Sequence, residues 1–181
     1  ITWYENDGTT NPNFTTRDIA TNADGAQDVH VADLDGDGDL DIISASGLDN
    51  TIAWYKNDGA TNPSFYAIDI ATNVDGAESI DVGDIDGDGD LDIVSVSNDD
   101  DTVRWFINDG TSNPSWSTNT IATDADGAED VRIADIDNDG DLDIAVASLY
   151  DNKIAWHEND GKNSPSWTTH TIYTNAKLAT G

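Results

Sequence analysis

The sequence predicts an all-β fold made of repeated four-stranded antiparallel sheets, and three observations carry the prediction. A nine-residue string of alternating aspartates at 33–41 returns at 84–92 and at 135–143, with a step of 51 residues each time. Each step contains four short apolar runs of strand length, and no segment shows a helical apolar period. One unit of this size cannot bury its faces alone, which is typical of a propeller or a solenoid. Four strands per unit favour the β-propeller.

The same period extends beyond the aspartate strings. A tryptophan, an Asn-Asp-Gly turn and a proline each recur four times in step. The tryptophans are Trp3, Trp54, Trp105 and Trp156. Aromatic residues at one position of every unit are expected to fill the interfaces between neighbouring sheets, and a set of sugar-stacking rings is the alternative.

The strands of the second unit illustrate the prediction for all units. The four runs are 79–84, 91–97, 102–107 and 115–122. The first run alternates apolar and polar residues, and the second is rich in Ile and Val. Turn residues separate the runs, including the aspartate string and Asn108-Asp109-Gly110. Each unit is therefore expected to be one antiparallel blade.

Counting strands along the chain predicts about three and a half blades. The predicted units are a half blade at 1–22 (strands three and four), blades at 23–73, 74–124 and 125–175, and a tail or truncated end at 176–181. Closed propellers use about 4–8 blades. The chain is therefore expected to be part of a larger propeller, or to close a ring with other copies as a homo-oligomer.

Acidic side chains dominate the composition and argue against two classes of partner. Asp and Glu number 37 against 7 Lys and Arg, which gives a formal net charge of −30. Nucleic acid and anionic membrane surfaces both bind through clustered Lys and Arg, so neither is expected as a partner. No apolar run approaches the ~20 residues of a membrane-spanning helix, so membrane insertion is not expected. The lack of cysteine excludes disulfides and thiolate metal sites.

The aspartate strings predict metal sites, because like charges so close together repel each other unless a cation lies between them. Ca²⁺ takes about 6–8 oxygen ligands, whereas Mg²⁺ prefers few protein ligands and many waters. We therefore expect one Ca²⁺ per complete repeat, three in all; a solvated acidic loop is the alternative. The candidate ligands are Asp33, Asp35, Asp37, Asp39, Asp41, Asp84, Asp86, Asp88, Asp90, Asp92, Asp135, Asp137, Asp139, Asp141 and Asp143.

The nine positions of a string are expected to have different roles. In the second string, positions 1, 3, 5 and 9 are expected to offer carboxylates, and they are Asp84, Asp86, Asp88 and Asp92. Position 7, Asp90, is expected to offer its backbone carbonyl and to point its side chain outward.

An EF-hand is the obvious rival for such a string, and the sequence argues against it. The EF-hand loop requires a bidentate Glu at position 12, where this chain has Ser44, Ser95 and Val146, and flanking helices are not predicted. The glycines at positions 4 and 6 are expected to allow the turn. Asn138 replaces one of them and can adopt the same left-handed conformation.

The loop Asp-x-Asp-x-Asp-Gly-x-x-Asp between two strands, in a repeat of this length, resembles the FG-GAP/VCBS repeats over residues 1–173. The resemblance implies a propeller with calcium in the loop that joins strands one and two of each blade, as in integrin α subunits and many secreted bacterial proteins. It also implies an extracellular or cell-surface location. The Phe-Gly and Gly-Ala-Pro signatures are replaced by Trp54-Tyr55 and Ser44-Ala45-Ser46, as in the bacterial VCBS-like branch.

The predicted function is a calcium-binding module with structural Ca²⁺ sites and an extracellular binding or adhesion role towards a protein or carbohydrate. The chain is not expected to be an enzyme, since a catalytic carboxylate pair should be a unique feature and not one of three copies. The alternative is an accessory or lectin-like part of a secreted polysaccharide-active enzyme. Candidate ligand contacts lie in the least repetitive turns, which also fit plain solvated turns. They are Leu48, Asp49, Asp99, Asp100, Leu149 and Tyr150.

Overall fold

A computed structural model of the chain describes residues 1–176, and every regular element in that range is a β-strand. The strands are β1 (Thr2–Asn6), β2 (Phe14–Asp18), β3 (Ala26–Ala32), β4 (Asp41–Ser46), β5 (Thr51–Asn57), β6 (Phe65–Ala71), β7 (Ala77–Gly83), β8 (Asp92–Ser97), β9 (Thr102–Asn108), β10 (Trp116–Ala122), β11 (Ala128–Ala134), β12 (Asp143–Ser148), β13 (Lys153–Asn159) and β14 (Trp167–Tyr173). The four strands of the second unit begin and end within two residues of their predicted bounds.

The strands form one two-stranded sheet and three four-stranded sheets, in which sequential strands pair antiparallel. We call them the half blade (β1–β2), blade one (β3–β6), blade two (β7–β10) and blade three (β11–β14). This arrangement confirms the predicted all-β fold of three and a half blades. The four sheets do not close into a ring within the described part of the chain.

Apolar clusters fill the interfaces between successive blades. Between blades one and two, Trp54 packs in one cluster with Ile80, Ile93 and Phe106. Trp105 occupies the equivalent place between blades two and three, where its ring meets Trp167 edge-on at 6.3 Å. Both Trp54 and Trp105 are only 1 % exposed. The prediction that these tryptophans fill blade interfaces is confirmed for these two positions.

The first strands of the three complete blades lie next to one another, and side-chain hydrogen bonds fix their relative height. The Asp28 carboxylate accepts bonds of 3.0 Å from both the Ser79 hydroxyl and the Ile80 amide. One blade further on, the Asp81 carboxylate accepts a bond of 2.8 Å from the Ile133 amide. Because each first strand runs in the same sense, the three aspartate strings emerge at the same edge of the assembly.

One face of blade one differs from its counterparts. Val29 and Val31 are 53 % and 52 % exposed, whereas Ile80, the equivalent of Val29 in blade two, is buried. A cavity of about 470 Å³ separates this face from the half blade, and Trp3 and Ile42 also line it. The half blade therefore covers blade one less completely than blade one covers blade two.

The predicted tail at 176–181 lies outside the described residues except for Ala176. Across residues 1–176, no helix is long and apolar enough to cross a membrane. The strands of the three four-stranded sheets lie inside the predicted blades, and the exact blade boundaries stay a prediction.

Candidate metal centres

Each aspartate string forms the connection between strands one and two of its blade. We call these connections loop one (33–41), loop two (84–92) and loop three (135–143). Loop one follows β3, and its ninth residue, Asp41, is the first residue of β4. The strands on both sides exclude an EF-hand, whose loop joins two helices.

The position-9 aspartates anchor the loops to the blades. Asp41 is fully buried, and its two oxygens accept hydrogen bonds from the Asn57 amide (2.8 Å) and from the Leu34 amide (3.2 Å). The same pair of bonds recurs at Asp92 and Asp143. Each position-9 carboxylate thus joins the start of its own loop to the end of strand three.

Burial raises the pKa of position-9 aspartates. Burial raises the pKa of Asp92 to about 6, although the Asn108 amide bond opposes the shift. Burial likewise raises the pKa of Asp41. A raised pKa means that burial disfavours the ionised form of the carboxylate. A nearby cation would favour the ionised form and lower the pKa again.

Carboxylate side chains converge within each loop. Three aspartates per loop place carboxylate oxygens within 4.8 Å of one another. The three groups are Asp33, Asp35 and Asp37 in loop one, Asp84, Asp86 and Asp88 in loop two, and Asp135, Asp137 and Asp143 in loop three. The structure therefore brings together positions 1, 3 and 5 in two loops, and positions 1, 3 and 9 in the third. Position 7 belongs to none of these groups.

Several oxygens in these groups are buried without any hydrogen-bond partner. They are one carboxylate oxygen each of Asp35, Asp84 and Asp86. The Asp35 side chain is fully buried. Burial, with repulsion from Asp88 next, raises the pKa of Asp86. A buried carboxylate oxygen normally has a partner, so these unpaired oxygens, all acceptors, fit a hard cation among them.

The position-7 side chains turn away from the clusters. The carboxylates of Asp39, Asp90 and Asp141 lie against the glycines of the Asn-Asp-Gly turns that follow strand three. In blade two that glycine is Gly110, with φ of 65°, and a Cβ there would collide with the Asp90 carboxylate. A larger residue at position 110 would therefore displace the Asp90 carboxylate and strain the left-handed backbone. The side chains point outward as expected, and the use of the position-7 backbone carbonyl as a ligand stays a prediction.

Left-handed residues form the bends of the loops. In loop two, Gly87 and Gly89 have φ of 71° and 100°. In loop three, Asn138 takes the place of the first glycine and has φ of 64°. The expected left-handed conformation of Asn138 is therefore confirmed.

The asparagines that end strand three link neighbouring blades, and sequence reasoning missed this role. The Asn108 side-chain amide donates to the Leu34 carbonyl of the preceding blade (2.9 Å) and to the Leu91 carbonyl of its own blade (3.1 Å). Asn159 repeats the arrangement with Ile85 and Leu142. The Asn-Asp-Gly period was visible in the sequence, but a partner 74 residues away was not.

The predicted ligand contacts lie at the opposite edge, in the turns between strands two and three. Leu48 is 83 % exposed and Tyr150 is 66 % exposed, and each covers a glycine of the preceding connection. Asp49 instead accepts the Asp24 amide at 3.1 Å. Asp100 accepts from Thr102 and Arg104, and these bonds outweigh the effect of burial and lower its pKa.

The remaining two predicted contacts differ in exposure. Asp99 is exposed, whereas Leu149 is half-buried. Leu48, Asp99 and Tyr150 occupy the same repeat position, so three different side chains stand at one place along this edge. The role of the six residues as ligand contacts stays a prediction.

Comparison with solved structures supports the fold. A lectin from Agrocybe aegerita, solved for its specific recognition of non-reducing terminal N-acetylglucosamine, superposes with a TM-score of 0.61 at 20 % identity. The match covers 94 % of this chain and 45 % of the lectin chain, so the chain spans less than half of that protein. At this identity the likeness shows the propeller fold alone. No curated protein matches the sequence.

Comparison with family models supports the repeat. The model described as FG-GAP-like repeat matches residues 1–44, 33–95 and 91–146. These matches together span well over half of the chain, and each includes at least part of an aspartate loop. The chain belongs to the FG-GAP-like repeat family.

Proposed function

We propose that the chain is a calcium-stabilised propeller module in which one Ca²⁺ per complete blade holds the loop between strands one and two. The observation that carries the proposal is the set of buried carboxylate oxygens without partners in loops one and two. Ionised carboxylates buried this closely together destabilise the fold unless a cation offsets their repulsion.

The residues present fit calcium better than other divalent ions. In each loop, positions 1, 3, 5 and 9 would supply carboxylates, and position 7 would supply a backbone carbonyl. In loop two these positions are Asp84, Asp86, Asp88, Asp92 and Asp90. An all-oxygen donor set of this size suits Ca²⁺, whereas Mg²⁺ keeps more of its water and softer metals prefer nitrogen or sulfur. The bound ion supplies positive charge and fixes the loop.

The ion would act structurally, through contacts that reach the neighbouring blade. The Ile85 carbonyl in loop two accepts the Asn159 side chain of blade three. Ordering loop two therefore orders an acceptor that blade three uses. On this account Ca²⁺ stabilises the blade interface as well as the turn.

For the module as a whole, we propose an extracellular, non-catalytic binding role. The N-acetylglucosamine-binding lectin with the same fold favours a carbohydrate as the first ligand to test, and a protein ligand is the second. Exposed Leu48 and Tyr150 are the candidate contacts. An accessory, lectin-like part of a secreted polysaccharide-active enzyme is the alternative, and it shares the same carbohydrate-binding surface.

Association between copies belongs to the same proposal. The exposed Val29 and Val31 face of blade one is apolar and resembles faces that other blades cover. Sedimentation of the purified chain with and without Ca²⁺ tests this part. A mass of one chain under both conditions contradicts ring closure through copies.

Two measurements test the rest of the proposed function. Calorimetric titration of the EDTA-treated chain with CaCl₂ should give three bound ions, and no binding heat together with an unchanged melting temperature would contradict the calcium role. A glycan array tests the binding role, with Tyr150→Ala as the variant expected to lose signal. Ile172→Ala, an exposed apolar residue on strand β14, is the control.

A further inference from the structure

A lysine lies at the metal cluster of blade one and of no other described blade. Lys56 is on β5, one residue before the turn asparagine, where blade two has Ile107 and blade three has Glu158. Its ammonium pairs with one oxygen of Asp35 and lies 3.6 Å from an oxygen of Asp37. Both aspartates belong to the converging group of loop one.

Neighbouring groups hold this ammonium in place. The Lys56 nitrogen lies 5.7 Å from the centre of the Trp54 ring, within the range of a cation–π contact. It also donates at 3.5 Å to the Ser112 carbonyl, which belongs to blade two. The Lys56 side chain is 29 % exposed, so most of its length is packed against the protein. The ammonium is therefore placed at loop one by packing as well as by charge.

Loops one and two also differ at position 1, where backbone amides satisfy Asp33 but leave one oxygen of Asp84 without a partner. In loop one both oxygens of Asp33 accept backbone amides, and a single oxygen of Asp35 lacks a partner. In loop two both Asp84 and Asp86 have an oxygen without a partner. Ile107 offers no charge there and packs against the apolar cluster. Loop one is thus already partly neutralised by its own chain.

We propose that Lys56 is a built-in counter-cation of loop one, which weakens divalent-ion binding there and holds the loop in shape when the ion is absent. The inference rests on the proposed calcium function and adds a difference between its sites. Ca²⁺ must displace the ammonium from Asp35 or bind beside it, whereas loop two presents no such competitor. A unit charge about 6 Å from a divalent ion changes the affinity on the order of tenfold in a water-like dielectric.

The test follows each loop separately in the full chain. Nitrogen-15 NMR spectra of the EDTA-treated protein are recorded during titration with CaCl₂, using the amides of Gly36 in loop one and Gly87 in loop two. In the wild type, Gly87 should reach half-saturation at a CaCl₂ concentration about tenfold below that of Gly36. In Lys56→Met, the Gly36 midpoint should fall towards that of Gly87, while Gly87 stays unchanged.

Two further variants distinguish an effect of the charge at position 56 from an effect of the net charge of the protein. Lys56→Arg keeps the cation and should keep the weak loop-one midpoint. Lys162→Met removes the same charge at an exposed side chain that pairs with Asp160 in the turn after strand three of blade three, and should leave the Gly36 midpoint unchanged. A second readout is the melting temperature in EDTA, which Lys56→Met should lower and Lys162→Met should not.

The outcomes distinguish a failure of the role of Lys56 from a failure of calcium binding itself. Equal midpoints in the wild type, or a Gly36 midpoint that Lys56→Met does not change, overturn the role of Lys56 while leaving calcium binding intact. If neither amide responds at millimolar CaCl₂, the proposed calcium function fails, and the inference about Lys56 fails with it.

Discussion

The side-chain amide of Asn159 donates a hydrogen bond of 3.0 Å to the backbone carbonyl of Ile85, a residue 74 positions earlier in the chain. The bond joins the end of strand three in blade three to the aspartate loop of blade two. Asn108 makes the equivalent bond to Leu34 between blades two and one. Loops one and two are therefore each part of a blade interface, and the integrity of each loop affects how the blades pack.

Removing one of these asparagines tests that link. Asn108→Ala should lower the free energy of unfolding by about 1–3 kcal/mol, because the buried carbonyl of Leu34 and the partly buried carbonyl of Leu91 lose their donor. Urea unfolding measures the change. Asn57→Ala is the matched control, since Asn57 makes the same turn but donates only to Leu40 of its own blade. Equal losses in the two variants would show that the inter-blade bond adds nothing.

Substitution inside a cluster should have opposite effects with and without calcium. Asp86→Asn removes a charge whose oxygen is buried without a partner, so in EDTA the variant should be more stable than the wild type by about 1 kcal/mol. In CaCl₂ the same variant should be less stable, because it loses a ligand. Thermal melts of the variant and the wild type, recorded in EDTA and in CaCl₂, measure the change in stability under each condition.

The control for Asp86→Asn is Asp90→Asn in the same loop. The Asp90 side chain lies against Gly110 and outside the carboxylate group, so its effect in CaCl₂ should be the smaller one. A calcium-dependent loss at Asp90 as large as that at Asp86 would contradict the assignment of positions 3 and 7.

His157 should contribute a loss of stability at mildly acidic pH. This side chain is 2 % exposed, and burial lowers its pKa below 6.5; Lys153 adds to the shift and Asp124 opposes it. Below pH 6.5 the unfolded chain binds a proton that the folded chain resists, so stability is lost as the pH falls from 6.5 towards the folded pKa.

The contribution of His157 can be measured by replacing it with the residue that blade two has at the same repeat position. Phe106 stands at the equivalent position of blade two and is buried, so His157→Phe is the matched variant. Between pH 7.5 and pH 5.5, chemical denaturation should show the stability of the wild type falling relative to that of this variant. The comparison cancels the contribution of Asp92, whose raised pKa acts in the opposite direction in both proteins. Parallel pH profiles for the two proteins would contradict the buried-neutral state of His157.

The fold and the position of the aspartate loops could be predicted from the sequence because both are periodic. A string such as 84–92 repeats three times, and strand-length apolar runs flank every copy. Trp54 and Trp105 repeat in step and fill equivalent interfaces. Equivalent residues of successive blades have equivalent surroundings, so the role predicted for one residue holds for its copies in the other blades.

Contacts that depend on three-dimensional closeness could not be predicted in this way. The bond from Asn108 to Leu34 joins two repeats, and nothing in a single repeat indicates its partner. The ion pair between Lys56 and Asp35 depends on a repeat position that differs among the three complete blades. At the opposite edge, the bond that the Asp49 carboxylate accepts from the Asp24 amide joins two different connections, and the sequence pattern does not indicate it.

The melting temperature of the EDTA-treated chain before and after addition of CaCl₂ tests the central claim most directly. Each saturated site should add about 2–3 kcal/mol at a hundredfold excess over its dissociation constant. For a protein of this size, three sites should raise the melting temperature by more than about 10 °C. MgCl₂ at the same concentration should give a much smaller rise. A melting temperature that CaCl₂ leaves unchanged would contradict the account of these loops as structural calcium sites.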